Sequence, residues 1–64
     1  MEVGDTVIFA NEILGIAQGS QGRVFEIIGD LVRVRVTHNP DCSDHPGFNT
    51  PPLAQEHFIL GNNC

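Results

Sequence analysis

The stretch Val24-Phe25-Glu26-Ile27-Ile28-Gly29-Asp30-Leu31-Val32-Arg33-Val34-Arg35-Val36 decides the fold of this chain. Two runs rich in β-branched and aromatic residues flank Gly29-Asp30, a dipeptide that favours a two-residue hairpin loop. In the register that this loop sets, Glu26 lies directly opposite Arg33, so one face carries a cross-strand ion pair. The pattern therefore predicts an antiparallel β-hairpin with one apolar and one polar face.

The apolar face of this hairpin supplies most of the predicted core. A curled strand can turn either of two neighbours inward, so the choice between Val24 and Phe25 stays open. Apolar residues of the connection 11–18 are expected to cover one end of the core. The predicted core residues are Val7, Phe9, Val24 or Phe25, Ile27, Val32, Val34, Val36, Leu53, Phe58 and Leu60.

The pattern outside the hairpin predicts a small all-β domain. Residues 4–10 alternate as a first strand, residues 19–22 have the composition of a turn, and residues 58–60 form a short closing strand. We predict a long polar loop over residues 37–50 and a single helical turn over residues 53–57. This order is that of an SH3-like small barrel of about five short antiparallel strands, with a one-turn helix before the last strand.

Chain length limits the kind of function. The 64 residues provide for one domain, which we place at residues 1–60, followed by a disordered tail over residues 61–64. A chain of this size buries only about 60% of its unfolded surface. The same few side chains would have to build both the core and a deep, water-excluding pocket. We therefore predict a domain that is not an enzyme and that holds no cofactor.

The charge balance limits the class of partner. Eight carboxylates outnumber three arginines, lysine is absent, and the formal net charge is −5 at pH 7. Binding to nucleic-acid phosphates or to an anionic membrane needs cationic contacts that this composition lacks. No apolar run approaches the ~20 residues of a membrane-spanning helix, and no signal peptide is recognisable. We predict a cytoplasmic protein, monomeric when isolated, without direct membrane insertion, whose partner is another protein or protein complex.

Residues 38–45 form the chemically richest segment. The candidate zinc ligands are His38, Cys42, His45 and Cys64, with His57 as a substitute for the last of them. Three or four such ligands would suit a zinc-stapled binding domain, which is one alternative function. Paired Cys-x2-Cys knuckles are absent, however, and Asn, Pro, Asp and Ser are typical of a solvated turn. We therefore predict a polar loop that binds no metal.

Nucleophilic and acid–base chemistry is not expected in the same segment. Cys42 has only His45 nearby in the sequence, and no oxyanion hole is recognisable. Asp41 and Asp44 are expected to cap turns, since nothing apolar surrounds them to shift a pKa. In a reducing compartment Cys42 and Cys64 are expected to be free thiols.

Three arginines on the hairpin are candidate partner-binding residues. Arg33 and Arg35 alternate on one strand, and Arg23 lies near their edge. They are either solvated strand residues, one of them paired with Glu26, or a small cationic docking patch on an acidic protein. An exposed ion pair stabilises a protein by only ~0.2–1 kcal/mol, so stability alone is a weak reason for these charges.

Three motifs of the chain resemble known families. Val3-Gly4-Asp5-x-Val7 and Gly19-Ser20-x-Gly22-x-Val24 are common to many SH3-like and KOW-type barrels. The segment Gly47-Phe48-Asn49-Thr50, followed by Leu53-Ala54 and Glu56, resembles the end of photosystem I reaction-centre subunit IV. Related small cyanobacterial and plastid proteins share this barrel, carry no cofactor and help redox partners to dock.

This resemblance implies a non-catalytic accessory or regulatory subunit of a photosynthetic electron-transfer complex, peripheral at the stromal or cytoplasmic face of the thylakoid. It adds Phe48 and Asn49 to Arg23, Arg33 and Arg35 as partner-binding residues. Because ferredoxin is acidic, docking of such a partner would need the arginines to form a local basic patch. The KOW motifs imply a nucleic-acid-binding barrel as the other alternative, which the missing lysines disfavour.

Overall fold

Six strands and one 3-10 turn make up the regular structure in the computed structural model, which describes all 64 residues. The strands are β1 Thr6–Phe9, β2 Gln21–Ile28, β3 Leu31–His38, β4 Asp44–Asn49, β5 Leu53–Ala54 and β6 Phe58–Leu60, and the 3-10 turn Gln55–His57 precedes β6. The predicted all-β class is confirmed. None of the helical structure has the length and apolar character that crossing a membrane requires.

The strands form one antiparallel sheet in the order β4-β3-β2-β1-β6, and β5 pairs with the beginning of β3. Strands β2, β3 and β4 follow one another as a meander, and the chain returns through the 3-10 turn to place β6 beside β1. This is the arrangement predicted for an SH3-like small barrel, with six strands in place of about five.

A β-bulge at Phe25 divides the central hairpin into two parts. Between the bulge and the turn the register is the predicted one, with Glu26 opposite Arg33. On the other side of the bulge the register shifts by one residue, so Val24 lies opposite Val34. An extra residue in one strand reverses which neighbours face inward. Val24 therefore enters the core, whereas Phe25 stays 36% exposed.

The core is a single cluster of apolar side chains between the curled parts of the sheet. Phe9 and Phe58 meet edge to face, with ring centroids 5.0 Å apart. Ile27 and Leu53 pack against the cluster and are only partly buried. The buried core residues are Val7, Phe9, Ile16, Val24, Val32, Val34, Val36 and Phe58.

Two details of the predicted core are corrected. Leu60 is 58% exposed, since it is the last residue of the short edge strand β6, in which only the first residue is buried. Within the connection 11–18, Ile16 is buried, but Leu14 points outward with a φ of 56°.

The predicted loop over residues 37–50 is wrong. Strand β3 continues to His38, and β4 occupies Asp44–Asn49, so only residues 39–43 connect them. The sequence of β4 lacks apolar alternation and contains Pro46, and an edge strand tolerates both. Likewise, the predicted helical turn begins only at residue 55, because residues 53–54 pair with β3.

Thr50, the residue that follows β4, is buried and hydrogen-bonded to β3. It is fully buried, its Oγ1 accepts a 2.9 Å hydrogen bond from the Val34 N–H, and its own N–H donates to the Val34 carbonyl at 2.9 Å. A side-chain oxygen thus replaces a backbone acceptor where the strand pairing ends, so the buried Val34 N–H keeps a partner.

Cys42 and Cys64 form a disulfide, with a Cα–Cα distance of 5.3 Å, so the expectation of two free thiols is wrong. The turn over residues 39–43 carries Cys42 back toward the start of β2. There the Asn63 N–H donates a 2.9 Å hydrogen bond to Gln21 Oε1. Residues 61–64, predicted as a disordered tail, have no regular secondary structure but are held at these two points.

Candidate functional site

A row of four directly opposed residues crosses β1, β2, β3 and β4. Thr6 lies opposite Arg23, Arg23 opposite Arg35, and Arg35 opposite Asn49. Directly opposed residues of antiparallel strands share a face of the sheet, with Cβ atoms roughly 5 Å apart. We call these four residues the arginine row.

The Arg35 side chain is held in place within the arginine row. Its Nη1 donates a 3.1 Å hydrogen bond to Asn49 Oδ1. Gly47 leaves the space that the guanidinium occupies, because a Cβ at that position would lie 2.8 Å from Arg35 Nη2. Neither Arg23 nor Arg35 forms an ion pair, since the single ion pair of the chain joins Arg33 to Glu26.

Arg33 belongs to a different cluster, although it lies only two positions from Arg35 on β3. Its Nη1 donates to Glu26 Oε1 at 2.9 Å, and its Nε donates to the Thr50 carbonyl at 3.0 Å. The guanidinium also lies over the Phe25 ring, 4.8 Å from the centroid, where the bulge has turned that ring outward. The structure thus brings Arg23 and Arg35 together and leaves Arg33 engaged elsewhere.

A polar groove of about 330 Å³ runs along the arginine row. No carboxylate and no apolar side chain lines it. The residues that line the groove are Thr6, Gln21, Gly22, Arg23, Arg35, Thr37 and His38.

Hydrogen bonds order one wall of this groove. Thr37 Oγ1 donates to the Gln21 carbonyl at 3.2 Å, and His38 Nδ1 lies 2.9 Å from Thr37 Oγ1. Because the threonine hydrogen is used toward Gln21, we assign the hydrogen of the second contact to His38 Nδ1, which donates to Thr37. The His38 ring is thereby fixed beside the groove.

Gly22 brings β2 and β3 close together beneath the groove. A Cβ at this position would lie 2.6 Å from the Arg35 carbonyl oxygen and 2.6 Å from Val34 Cγ1. The sequence pattern assigned Gly22 to a turn over residues 19–22, but Gly22 is a strand residue, and of the two glycines only Gly19 has a positive φ, at 91°. The need at position 22 is space rather than conformation.

The remaining predicted partner-binding residues are divided by the sheet. Asn49 belongs to the arginine row, whereas Phe48 lies opposite Val36 and is 42% exposed on the other face of β4. Sequence reasoning missed the groove residues Thr6, Gln21 and Thr37. Thr6 reaches Arg23 through the pairing of β1 with β2, and Thr37 reaches Gln21 across β2 and β3, and the local sequence pattern does not reveal either approach.

The candidate zinc ligands are not brought together. Cys42 and Cys64 are bonded to each other, and no group of three or more His, Cys, Asp or Glu side chains could hold a metal ion. His45 Nδ1 accepts a 3.0 Å hydrogen bond from the Gly47 N–H. His57 Nδ1 instead contacts Asn11 Oδ1 at 3.2 Å.

Asp41 has the turn-capping role predicted for it. Its Oδ1 accepts a 2.6 Å hydrogen bond from the Ser43 hydroxyl and a 3.1 Å hydrogen bond from the Ser43 N–H. Both bonds favour the ionised carboxylate and lower the pKa of Asp41 below its ordinary value of 3.8. The carboxyl group is fully exposed and has no second acid beside it, so it stabilises the turn that carries Cys42.

No protein-family model matches this chain, and searches of curated proteins and of solved structures gave no match. The arginine row and the polar groove beside it are therefore the observations on which a function can be argued.

Proposed function

We propose that this chain is a non-catalytic protein-binding module that docks an acidic partner on the arginine row. The observation that supports this most strongly is the direct opposition of Arg23 and Arg35 without a carboxylate. Like charges directly opposite one another destabilise a sheet. An acidic partner would remove this repulsion on binding and would gain charge-assisted hydrogen bonds from both guanidiniums.

The biological role that fits this docking surface is that of an accessory or regulatory subunit of a photosynthetic electron-transfer complex. The role rests on the resemblance of residues 47–60 to photosystem I reaction-centre subunit IV. The arginine row supplies the local basic patch that an acidic redox partner would need on a protein of net charge −5. A cytoplasmic location, or one at the stromal face of the thylakoid, forms part of this proposal.

The two alternative functions have less support. A KOW-type nucleic-acid-binding barrel would have only Arg23 and Arg35 as unpaired cations, and nonspecific affinity grows with the number of neutralised phosphates. A zinc-stapled domain would have to form its site without sulfur ligands while Cys42 and Cys64 are bonded to each other.

Because the chain has no lysine for an amine-specific reagent, the proposal is tested by formaldehyde cross-linking of the tagged full chain in an extract of photosynthetic membranes, followed by mass spectrometry. We expect subunits of an electron-transfer complex to be cross-linked near the arginine row. Fewer of them should be recovered when the cross-linking is done in high salt, because salt screens the attraction between exposed charges. Recovery of no subunit of such a complex by the unaltered chain would contradict the proposal.

A matched pair of variants makes the test specific to the row. The Arg35→Gln variant should lose most of the cross-links, whereas Arg33→Gln removes the same charge from the same strand but outside the row. Equal loss of cross-links in both variants would show that net charge, and not the arginine row, attracts the partner.

A further inference from the structure

The polar groove has a composition that points to a particular ligand. All of its lining residues are polar or glycine, and it holds two guanidiniums but no carboxylate. The chain has eight carboxylates, so acids are available elsewhere in the molecule. Glu26, for example, forms an ion pair with Arg33, which lies two positions from Arg35 on the same strand. The absence of an acid from the groove therefore leaves two positive charges available to a ligand.

One of the two guanidiniums of the groove is preorganised. The Asn49 side chain holds Arg35 through a single N–H, and a guanidinium has five, so several donors stay available. Arg23 projects from the directly opposed position on β2. The Thr37 and His38 side chains are fixed to each other along the wall of the groove. An anion entering here would meet guanidinium donors from two neighbouring strands, and the one from Arg35 is already held in place.

The charge and shape of the groove favour a phosphate group over a carboxylate. A planar carboxylate is satisfied by one bidentate arginine, whereas a tetrahedral dianion can accept forked hydrogen bonds from two. The volume of about 330 Å³ is at the small end of ligand sites, so it admits a phosphoryl group with the short chain that carries it. No apolar side chain lines the groove, and its only aromatic ring is the imidazole of His38, so a nucleotide base would have little surface on which to stack.

We propose that the groove beside the arginine row is an oxyanion subsite that binds a phosphate monoester through Arg23 and Arg35. This inference deepens the proposed function, because it names the group that a partner would present. It rests on that function only for the assumption that the phosphate belongs to a macromolecule. The chemistry of the subsite is the same for a free phosphate ion and for a phosphorylated side chain.

The test is a titration of the isotope-labelled full chain, followed by NMR at constant ionic strength. The probes are inorganic phosphate, a phosphoserine tripeptide and the same tripeptide with glutamate in place of phosphoserine. We expect both phosphate probes to move the amide signals of residues 21–23 and 35–38. The glutamate tripeptide should bind about tenfold more weakly, because it lacks one charge and one set of charge-assisted hydrogen bonds.

The relative affinity of the two phosphate probes identifies the source of the ligand. Tighter binding of the phosphoserine tripeptide than of inorganic phosphate indicates a phosphorylated chain, and equal binding indicates free phosphate. Either result supports the subsite. Equal affinity for the glutamate and phosphoserine tripeptides would overturn it, as would signal changes spread evenly over the molecule.

Three variants connect the binding to the named residues. Arg23→Gln and Arg35→Gln should each weaken phosphate binding about tenfold, since each removes one charged donor. Arg33→Gln should leave the affinity within about twofold, because that guanidinium is bound to Glu26 and lies outside the groove. An equal effect of all three substitutions would overturn the subsite in favour of a general charge effect.

The two proposals can fail separately. Phosphate binding without any cross-linked complex subunit would retain the subsite and contradict the proposed function. Cross-linking to a complex through the arginine row, with no binding of either phosphate probe, would retain the proposed function and contradict the subsite.

Discussion

The two ends of the β2–β3 hairpin use the same residue type in opposite ways. At the turn end, Arg33 contacts the Glu26 carboxylate, the Thr50 carbonyl and the Phe25 ring. At the open end, Arg35 faces Arg23 without an acid. Both arginines belong to one strand and are two positions apart, so secondary structure does not explain the difference. The turn end pairs its arginine with an acid of the same hairpin, whereas the open end leaves both of its arginines without an ion pair.

The bulge at Phe25 separates these two ends. Without it, residue 24 would oppose residue 35 and residue 23 would oppose residue 36, so the two arginines would lie on different faces. The extra residue brings them onto one face and at the same time turns the Phe25 ring toward Arg33. The single bulge at Phe25 thus places the Phe25 ring against Arg33 and also places Arg23 opposite Arg35 in the arginine row.

Removal of the disulfide, which lies near the open end of the hairpin, should cause the largest loss of unfolding free energy. The bond joins residues that are 22 positions apart. Closing a loop of this size lowers the entropy of the unfolded chain and thereby stabilises the folded state by about 3 kcal/mol. We expect the Cys42→Ser/Cys64→Ser variant to lose this amount of unfolding free energy in a urea titration.

The reductant provides the control for that measurement. Dithiothreitol should lower the urea midpoint of the unaltered chain to that of the double variant and should leave the variant unchanged. An unaltered chain that unfolds at the same urea concentration with and without reductant would contradict the prediction.

A glycine substitution at each end of the hairpin should destabilise the protein for a different reason, lack of space at Gly22 and a positive φ at Gly29. Gly22→Ala at the open end forces a Cβ to within 2.6 Å of the Arg35 carbonyl oxygen, and backbone cannot yield as a flexible side chain can. We expect a loss of about 2 kcal/mol, as for an overpacked core. Gly29→Ala at the turn end meets no atom within 4 Å but retains a φ of 59°, which costs about 1 kcal/mol. Urea unfolding of both variants measures the two losses of unfolding free energy. A larger loss for Gly29→Ala would contradict the prediction that lack of space at Gly22 costs more than the positive φ at Gly29.

Neutralising each arginine of β3 should give effects of different sign. Arg33→Gln removes an ion pair and a contact with an aromatic ring at a partly exposed site, so we expect a loss of about 1 kcal/mol. Arg35→Gln removes a like charge directly opposite Arg23 and loses only an exposed hydrogen bond to Asn49, so we expect no loss or a gain of roughly 0.3 kcal/mol. The gain should shrink in high salt. Thermal unfolding at low and high salt measures both effects. Equal destabilisation by the two substitutions would contradict the prediction that only Arg33 stabilises the fold.

The turn end was predictable from sequence and the open end was not. Gly29-Asp30 and the alternation around it predict the pairing of Glu26 with Arg33, because hairpin register is set locally by the turn. The pairing of Arg23 with Arg35 needs the bulge, and no residue type near Phe25 announces a bulge. Strand β4 also escaped prediction, since its pairing with β3 is a tertiary interaction that overrides a polar, proline-containing sequence.

The smallest expected effect concerns the turn that leads from the open end to the disulfide. Hydrogen bonds from Ser43 lower the pKa of the Asp41 carboxyl below 3.8, so ionised Asp41 favours the folded turn. A group whose pKa is depressed on folding adds stability above its unfolded pKa and loses it as the pH falls through its folded pKa. Ser43→Ala removes the hydroxyl donor, and we expect the pKa of Asp41, followed by its side-chain NMR signal, to rise toward its ordinary value. An unchanged Asp41 titration in this variant would show that the turn is held by its backbone bonds alone, and the open end would then depend on the disulfide rather than on this carboxylate.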